Sequence, residues 1–194
     1  MLNKSKAGDA VSASVTQNVN PDARVQAGGV FKVTCYDKDG NLKWEDEFHN
    51  LVVNVGLKDM NEKYFTGASY NAAWYIGLVN NTPTPSYSLN DTMASHGGWS
   101  EFAGYSVSGN ATIRATCTFG SSTTADPSVI SNSASVAVFS ITSGATVAGA
   151  FLTSSDVKSG TTGILFSEAN FSSARTVAAS DTLNVTYTFS LDAA

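Results

Sequence analysis

The residues able to do chemistry are few and scattered. The chain has two histidines, His49 and His96, and two cysteines, Cys35 and Cys117. Nucleophilic catalysis needs a Ser or Cys beside a His base that a third group orients. Neither histidine lies in such a setting, and no Gly-x-Ser-x-Gly elbow occurs. His96 sits in Asp91-Thr92-Met93-Ala94-Ser95-His96-Gly97-Gly98-Trp99, a polar stretch that suits a loop histidine bonded to its neighbours. The cysteines lack the Cys-x-x-Cys spacing of a zinc site. They fall in alternating runs, Val33-Thr34-Cys35-Tyr36 and Ala115-Thr116-Cys117-Thr118, and read as buried, reduced and structural. A disulfide between them is the alternative, and it fits poorly with a cytosolic product.

Carboxylates give a second set of candidates. Asp37-Lys38-Asp39-Gly40-Asn41 resembles the start of a calcium loop, which needs Gly at its sixth position and Glu at its twelfth. Here Gly40 is fourth and Phe48 twelfth, so a hairpin turn accounts for the same residues. Glu45 and Glu47 share one face of the following strand, while Asp46 points away with Trp44. A pair of glycosidase carboxylates can arise this way, but a solvated strand face is the ordinary outcome. Trp74, Tyr75, Trp99, Phe102 and Tyr105 could line a sugar cleft, and the core claims such residues more often. Gly28-Gly29 and Gly97-Gly98 lack the Lys-Ser/Thr of a phosphate loop. The sequence therefore predicts no catalytic residue, no metal site and no cofactor.

The elements that would carry these residues are mostly strands. Charged residues make up 14% of the 194, against about 25% in an ordinary soluble protein. Ser, Thr, Asn and Val replace them, which disfavours helical surfaces and suits pleated ones. With a net charge of -5, the chain has no basic footprint for nucleic acid. No apolar run is long enough for a transmembrane helix, and no apolar h-region follows the basic start Met1-Leu2-Asn3-Lys4-Ser5-Lys6. The expected setting is the cytosol, or a particle assembled there.

Val30–Tyr36 and Leu42–Phe48 read as a hairpin, with Leu51-Val52-Val53 after it. Val55–Phe65 is the one helix expected, with Val55, Leu57, Met60 and Tyr64 or Phe65 on its apolar face. Asn54 would cap its start and Gly67 close its end, and it would plug one end of a β-structure. Ala72–Val79 reads as a central strand. Strands are also expected at Thr112–Phe119, Ser135–Ile141, Thr146–Leu152, Gly163–Phe166 and Leu183–Leu191. The fold class is all-β: an antiparallel β-sandwich or jelly roll with one short helix and an extended N-terminal arm. Residues 1–29 form the flexible arm and 30–194 the sandwich domain. The arm has no aromatic residue, and Val11, Val15, Val19 and Val25 are its candidate interaction residues. Their expected role is to order on a neighbouring subunit.

One stretch carries a resemblance. Phe48-His49-Asn50-Leu51-Val52-Val53-Asn54-Val55-Gly56-Leu57 is followed by Trp74-Tyr75-Ile76-Gly77-Leu78 and by the segment from Asp91 to Glu101 and Tyr105-Ser106. Val147-Ala148-Gly149-Ala150-Phe151-Leu152, Gly160-Thr161-Thr162-Gly163-Ile164-Leu165 and Asp181-Thr182-Leu183-Asn184-Val185-Thr186-Tyr187 continue it. This succession, over about residues 48–190, resembles small virion proteins of tailed bacteriophages, of the capsid decoration or cement type. The resemblance implies a virion structural protein and not an enzyme. Its partner would be the major capsid protein, it would act as a homo-oligomer, and it would stabilise the assembled lattice without nucleic acid or membrane. A tail or fibre component and a carbohydrate-binding adhesion module are the alternatives.

Overall fold

The computed structural model describes residues 25–70 and 73–193, and the fold is an all-β antiparallel sandwich with one helix. Strands are numbered here in chain order. The first sheet runs β2 (Leu42–His49), β1 (Val25–Tyr36), β12 (Thr182–Ala193), β9 (Ala137–Ile141), β6 (Tyr105–Ser106), with β8 (Ser128–Ser131) also on β12. The second runs β3 (Leu51–Val52), β11 (Leu165–Val177), β10 (Ala145–Thr153), β4 (Trp74–Asn80), β5 (Glu101–Phe102), with β7 (Ala115–Cys117) also on β4. All these pairings are antiparallel.

Alternation along β1, β9 and β12 sends Phe31, Val33, Cys35, Phe139, Val185 and Tyr187 between the sheets. There Phe31 and Tyr187 pack with ring centroids 4.5 Å apart, and Tyr105 meets Phe139 edge-on at 4.9 Å. The second sheet is buried on both faces. Ile76, Leu78, Ala150 and Leu152 join the main core, while Val79, Phe151 and Leu165 turn outward against Met93 and Trp99. That double burial explains why β4 and β10 are continuous apolar runs instead of alternating ones. Trp99, Phe102 and Tyr105 are thus core residues, and Trp74 and Tyr75 are partly buried. Cys35 and Cys117 are both free and buried, and burial pushes each thiol up to about 12.

Three departures from the sequence reading have physical causes. Strand β1 begins at Val25 and not Val30, because the long β12 supplies a full antiparallel ladder as far as Val25–Ala193. Residues 25–29 therefore belong to the sheet despite their weak apolar content. Strand β11 runs to Val177, far past Phe166, and its polar second half hid it. Between its two stretches of pairing to β10 the chain bulges, so that Asn170 and Arg175 face Gly149 and Val147. The bulge buries Phe171 against Phe48 of the other sheet, with centroids 5.0 Å apart. The third departure is β8, whose Ser-Val-Ile-Ser is too short and polar to read as a strand. It extends β12's outer edge beyond β9, and buried Asn132 fills the gap between them by accepting from Tyr187 N at 2.7 Å.

The helix α1 (Asn54–Phe65) forms where expected, but its start and inward face differ. Val53 is the N-cap residue and makes no side-chain cap; Asn54 is already helical and donates to Asn90 at 3.0 Å. Gly67, at φ 68°, follows the C-terminal turn as anticipated. The inward face is Gly56, Asp59, Met60 and Lys63, while Leu57, Tyr64 and Phe65 point out. Gly56 sets this rotation. A Cβ there would lie 2.5 Å from Phe166 O and 3.0 Å from Phe166 Cα, both fixed backbone. Gly56→Ala should accordingly lower stability by about 1–3 kcal/mol through displacement of the helix from β11. A urea melt checks this; an unchanged midpoint would show that the helix tolerates the shift.

Candidate functional site

The candidate site is an apolar groove at the end of the sandwich that α1 covers. Its inner part, about 200 Å³, opens between the sheets. Tyr187, Phe189 and Ile130 come from the first sheet and Trp74, Leu152 and Phe166 from the second. The aromatic walls pack edge-to-face: Trp74 on Phe166 at 5.4 Å, and Phe166 on Phe189 at 5.3 Å. The outer part, about 580 Å³, lies between Val25 and Leu191 at the strand ends and Met60, Tyr64, Phe65 and Tyr70 at the helix end. Met60, Lys63 and Tyr70 line both parts and join them.

The rim is unusually bare. Tyr64 is 83% exposed, Phe65 76%, Tyr70 73% and Val25 71%. Single exposed apolar residues are common, but here four gather around one apolar hollow. Lys63 and Asp59 are the titratable side chains in this lining apart from the tyrosines, and they pair at 3.6 Å. The Lys63 ammonium also donates to Ser69 O. The groove lining is thus apolar, with its charged pair closed on itself.

Of the other carboxylates, some close surface turns or face solvent and some are held inside the fold. Asp37 Oδ1 accepts from the amides of Asp39 and Asn41, both at 2.9 Å, so the acidic turn closes on itself. The Asn41 side-chain amide, which donates to Asp37 Oδ2 at 3.0 Å, holds the Asp37 carboxyl below its usual range, and the Asn41 backbone amide adds to this. Glu45 and Glu47 lie on the solvent face as expected, while Asp46 is buried, pairs with Arg175 at 3.5 Å and accepts from Ser172 Oγ at 2.9 Å. Asp181 accepts from Lys43 at 2.5 Å and from the Ala178 amide at 2.8 Å.

On the outer face of the second sheet, Arg114 makes a two-pronged pair with Glu101, at 3.0 and 2.9 Å. On the same face, fully buried Glu168 accepts from the Trp99 indole at 2.8 Å. The Ser88 amide lies 3.3 Å from both Glu168 Oε1 and Asp91 Oδ2. None of these four charged groups lines the groove. His96 stacks on Trp99 at 3.9 Å, with Nδ1 3.2 Å from Trp99 O, and His49 is exposed on β2.

Of the four valines singled out in the sequence, Val11, Val15 and Val19 lie outside the described residues. Val25 is placed on the groove rim. Tyr64, Phe65 and Tyr70 escaped the sequence reading as surface residues. The step of about 100° between consecutive helical residues already kept one of Tyr64 and Phe65 off the inward face; the rotation of the helix exposes both. No protein-family model, curated protein or solved structure matches this chain.

Proposed function

We propose that this chain is a structural protein that works by docking on other protein subunits, and that its setting is the virion of a tailed bacteriophage. On this reading it decorates the capsid, bound to the major capsid protein as a homo-oligomer. It catalyses nothing. The observation that carries the docking reading is the ring of exposed Val25, Tyr64, Phe65 and Tyr70 around an apolar groove. The low charge of the chain supports it, because a surface of Ser, Thr and Asn can be covered without desolvating many ions. The capsid setting rests on the sequence resemblance. A protein that binds only the assembled lattice stabilises that lattice by mass action.

Co-sedimentation of the purified chain with empty capsids tests the reading, with a glycan panel as the contrasting arm. Capsid binding without glycan binding is the expected result. Glycan binding alone would make the chain an adhesion module, and binding only to tails would make it a tail component. Deleting residues 1–24 should leave the circular dichroism spectrum of the sandwich intact and weaken attachment about tenfold or more, the equivalent of about 1.4 kcal/mol. Equal binding by the truncated chain would leave the arm without a role in docking.

A further inference from the structure

Val25 is both the first residue of β1 and part of the groove lining, so residues 1–24 join the fold at the groove's rim. The strand register gives the groove its direction. Its inner part lies at Tyr187 and Phe189, which pair with Phe31 and Gly29. Its outer part lies at Leu191 and Val25, which pair with Ala27 and Ala193. The groove therefore runs along β1 towards the N-terminal end of that strand, and its mouth is where the preceding segment attaches. A segment entering its own groove has to reverse direction next to Val25. A segment from a second copy, facing the first end to end, enters without reversal.

The chemistry of that segment matches the groove. From Ala10 to Pro21 the sequence Ala-Val-Ser-Ala-Ser-Val-Thr-Gln-Asn-Val-Asn-Pro has no charged residue, and it carries Val11, Val15 and Val19. The groove that would receive it is apolar, with Asp59 and Lys63 already paired. The connection is short but sufficient: Val19 to Val25 can span about 20 Å at roughly 3.3 Å per residue.

We propose that the groove under α1 receives residues 11–19 of a second copy of this chain, exchanged reciprocally about a twofold axis. This rests on the reading that the chain works by docking on protein subunits, and it names one such subunit as the chain itself. Reciprocal exchange is isologous, so one groove and one segment per copy satisfy both partners and close the assembly. It also covers Tyr64, Phe65 and Tyr70 in the same contact.

The test uses the full chain. A Val19→Cys copy is mixed with a Tyr64→Cys copy and oxidised; Cys35 and Cys117 are buried and stay out of the reaction. The expected product is a disulfide-linked heterodimer. Phe65→Glu, an exposed position that the fold does not need, should abolish the link and weaken self-association about tenfold or more, while the circular dichroism spectrum is unchanged. Absence of the heterodimer overturns the proposal. So does an intramolecular disulfide formed in dilute Val19→Cys/Tyr64→Cys chains, which would place the segment in its own groove. Capsid binding without the link would leave the docking reading intact and defeat this inference. The link without capsid binding would do the reverse.

Discussion

Replacing Arg114 with alanine is expected to cost the fold about 3–5 kcal/mol, because it leaves a buried carboxylate without its counter-charge. Arg114 is fully buried, and Glu101 is nearly so. The guanidinium does more than neutralise Glu101: Nη1 donates to Ser155 O at 2.9 Å and Nη2 to Gly160 O at 3.1 Å. Glu101 in turn accepts from the Ser159 amide at 2.7 Å and the Tyr105 hydroxyl at 3.2 Å. Lys158 adds a donor to the carbonyls of Ala103 and Tyr105 and lies 3.9 Å from the Tyr105 ring centroid. The pair thus anchors the connection between β10 and β11 to β5. A loss of about 3–5 kcal/mol in a domain this size lowers Tm by roughly 6–20 °C. The double change Arg114→Met/Glu101→Leu should cost less than Arg114→Ala, since it removes both charges together. Thermal melts decide it, with hydrogen exchange at residues 155–160 as a local readout. A double variant worse than Arg114→Ala would show that the anchored loop, not the uncompensated charge, dominates.

Glu168 is expected to make stability fall as pH rises. Burial, and next the negative charge of Asp91, push its carboxyl up to about 8. The Trp99 indole and the Ser88 amide oppose the shift, and Glu168 has no ion-pair partner among the described residues. The folded protein therefore keeps the Glu168 proton to about pH 8, while the unfolded chain releases it near its ordinary value of 4.5. Between those limits the folded state binds more protons, so stability is fully present below the lower limit and is lost as pH rises through the upper one. The size is on the order of 5 kcal/mol across the window. Glu168→Gln preserves the acceptor for Trp99 and removes the titration. Urea midpoints followed from about pH 5 to about pH 9 should decline in the parent chain and flatten in the variant. The segment from Ser88 to Trp99 should show the greatest rise in hydrogen exchange at the alkaline end, because Glu168 holds both of its ends. Equal slopes in the two proteins would sink the assignment.

Composition and period-2 alternation in the sequence determined the class of fold, most of its strands and the place of its helix. Low charge with many Thr and Val suits pleated surfaces wherever they lie, and the segment ending at Phe65 was placed correctly as the helix although the apolar face read from it is not the buried one. The hairpin turn at Asp37–Asn41 was legible because its hydrogen bonds run within five residues. What the sequence could not show was set by partners far along the chain. The polar half of β11 and the short β8 are strands because β10 and β12 offer backbone ladders to them. Nothing local to Arg114, Glu101 or Glu168 marks them as buried; covering the second sheet on both faces is what encloses them. Rotation of α1 was decided by one close approach, Gly56 to the Phe166 backbone. That contact turns Asp59 inward and leaves Tyr64 and Phe65 bare, and so it makes the groove. Local pattern fixes which segments are strand or helix, since backbone preference and alternation act over a few residues; which side of each segment water reaches depends on what packs on it, and only the tertiary structure decided that.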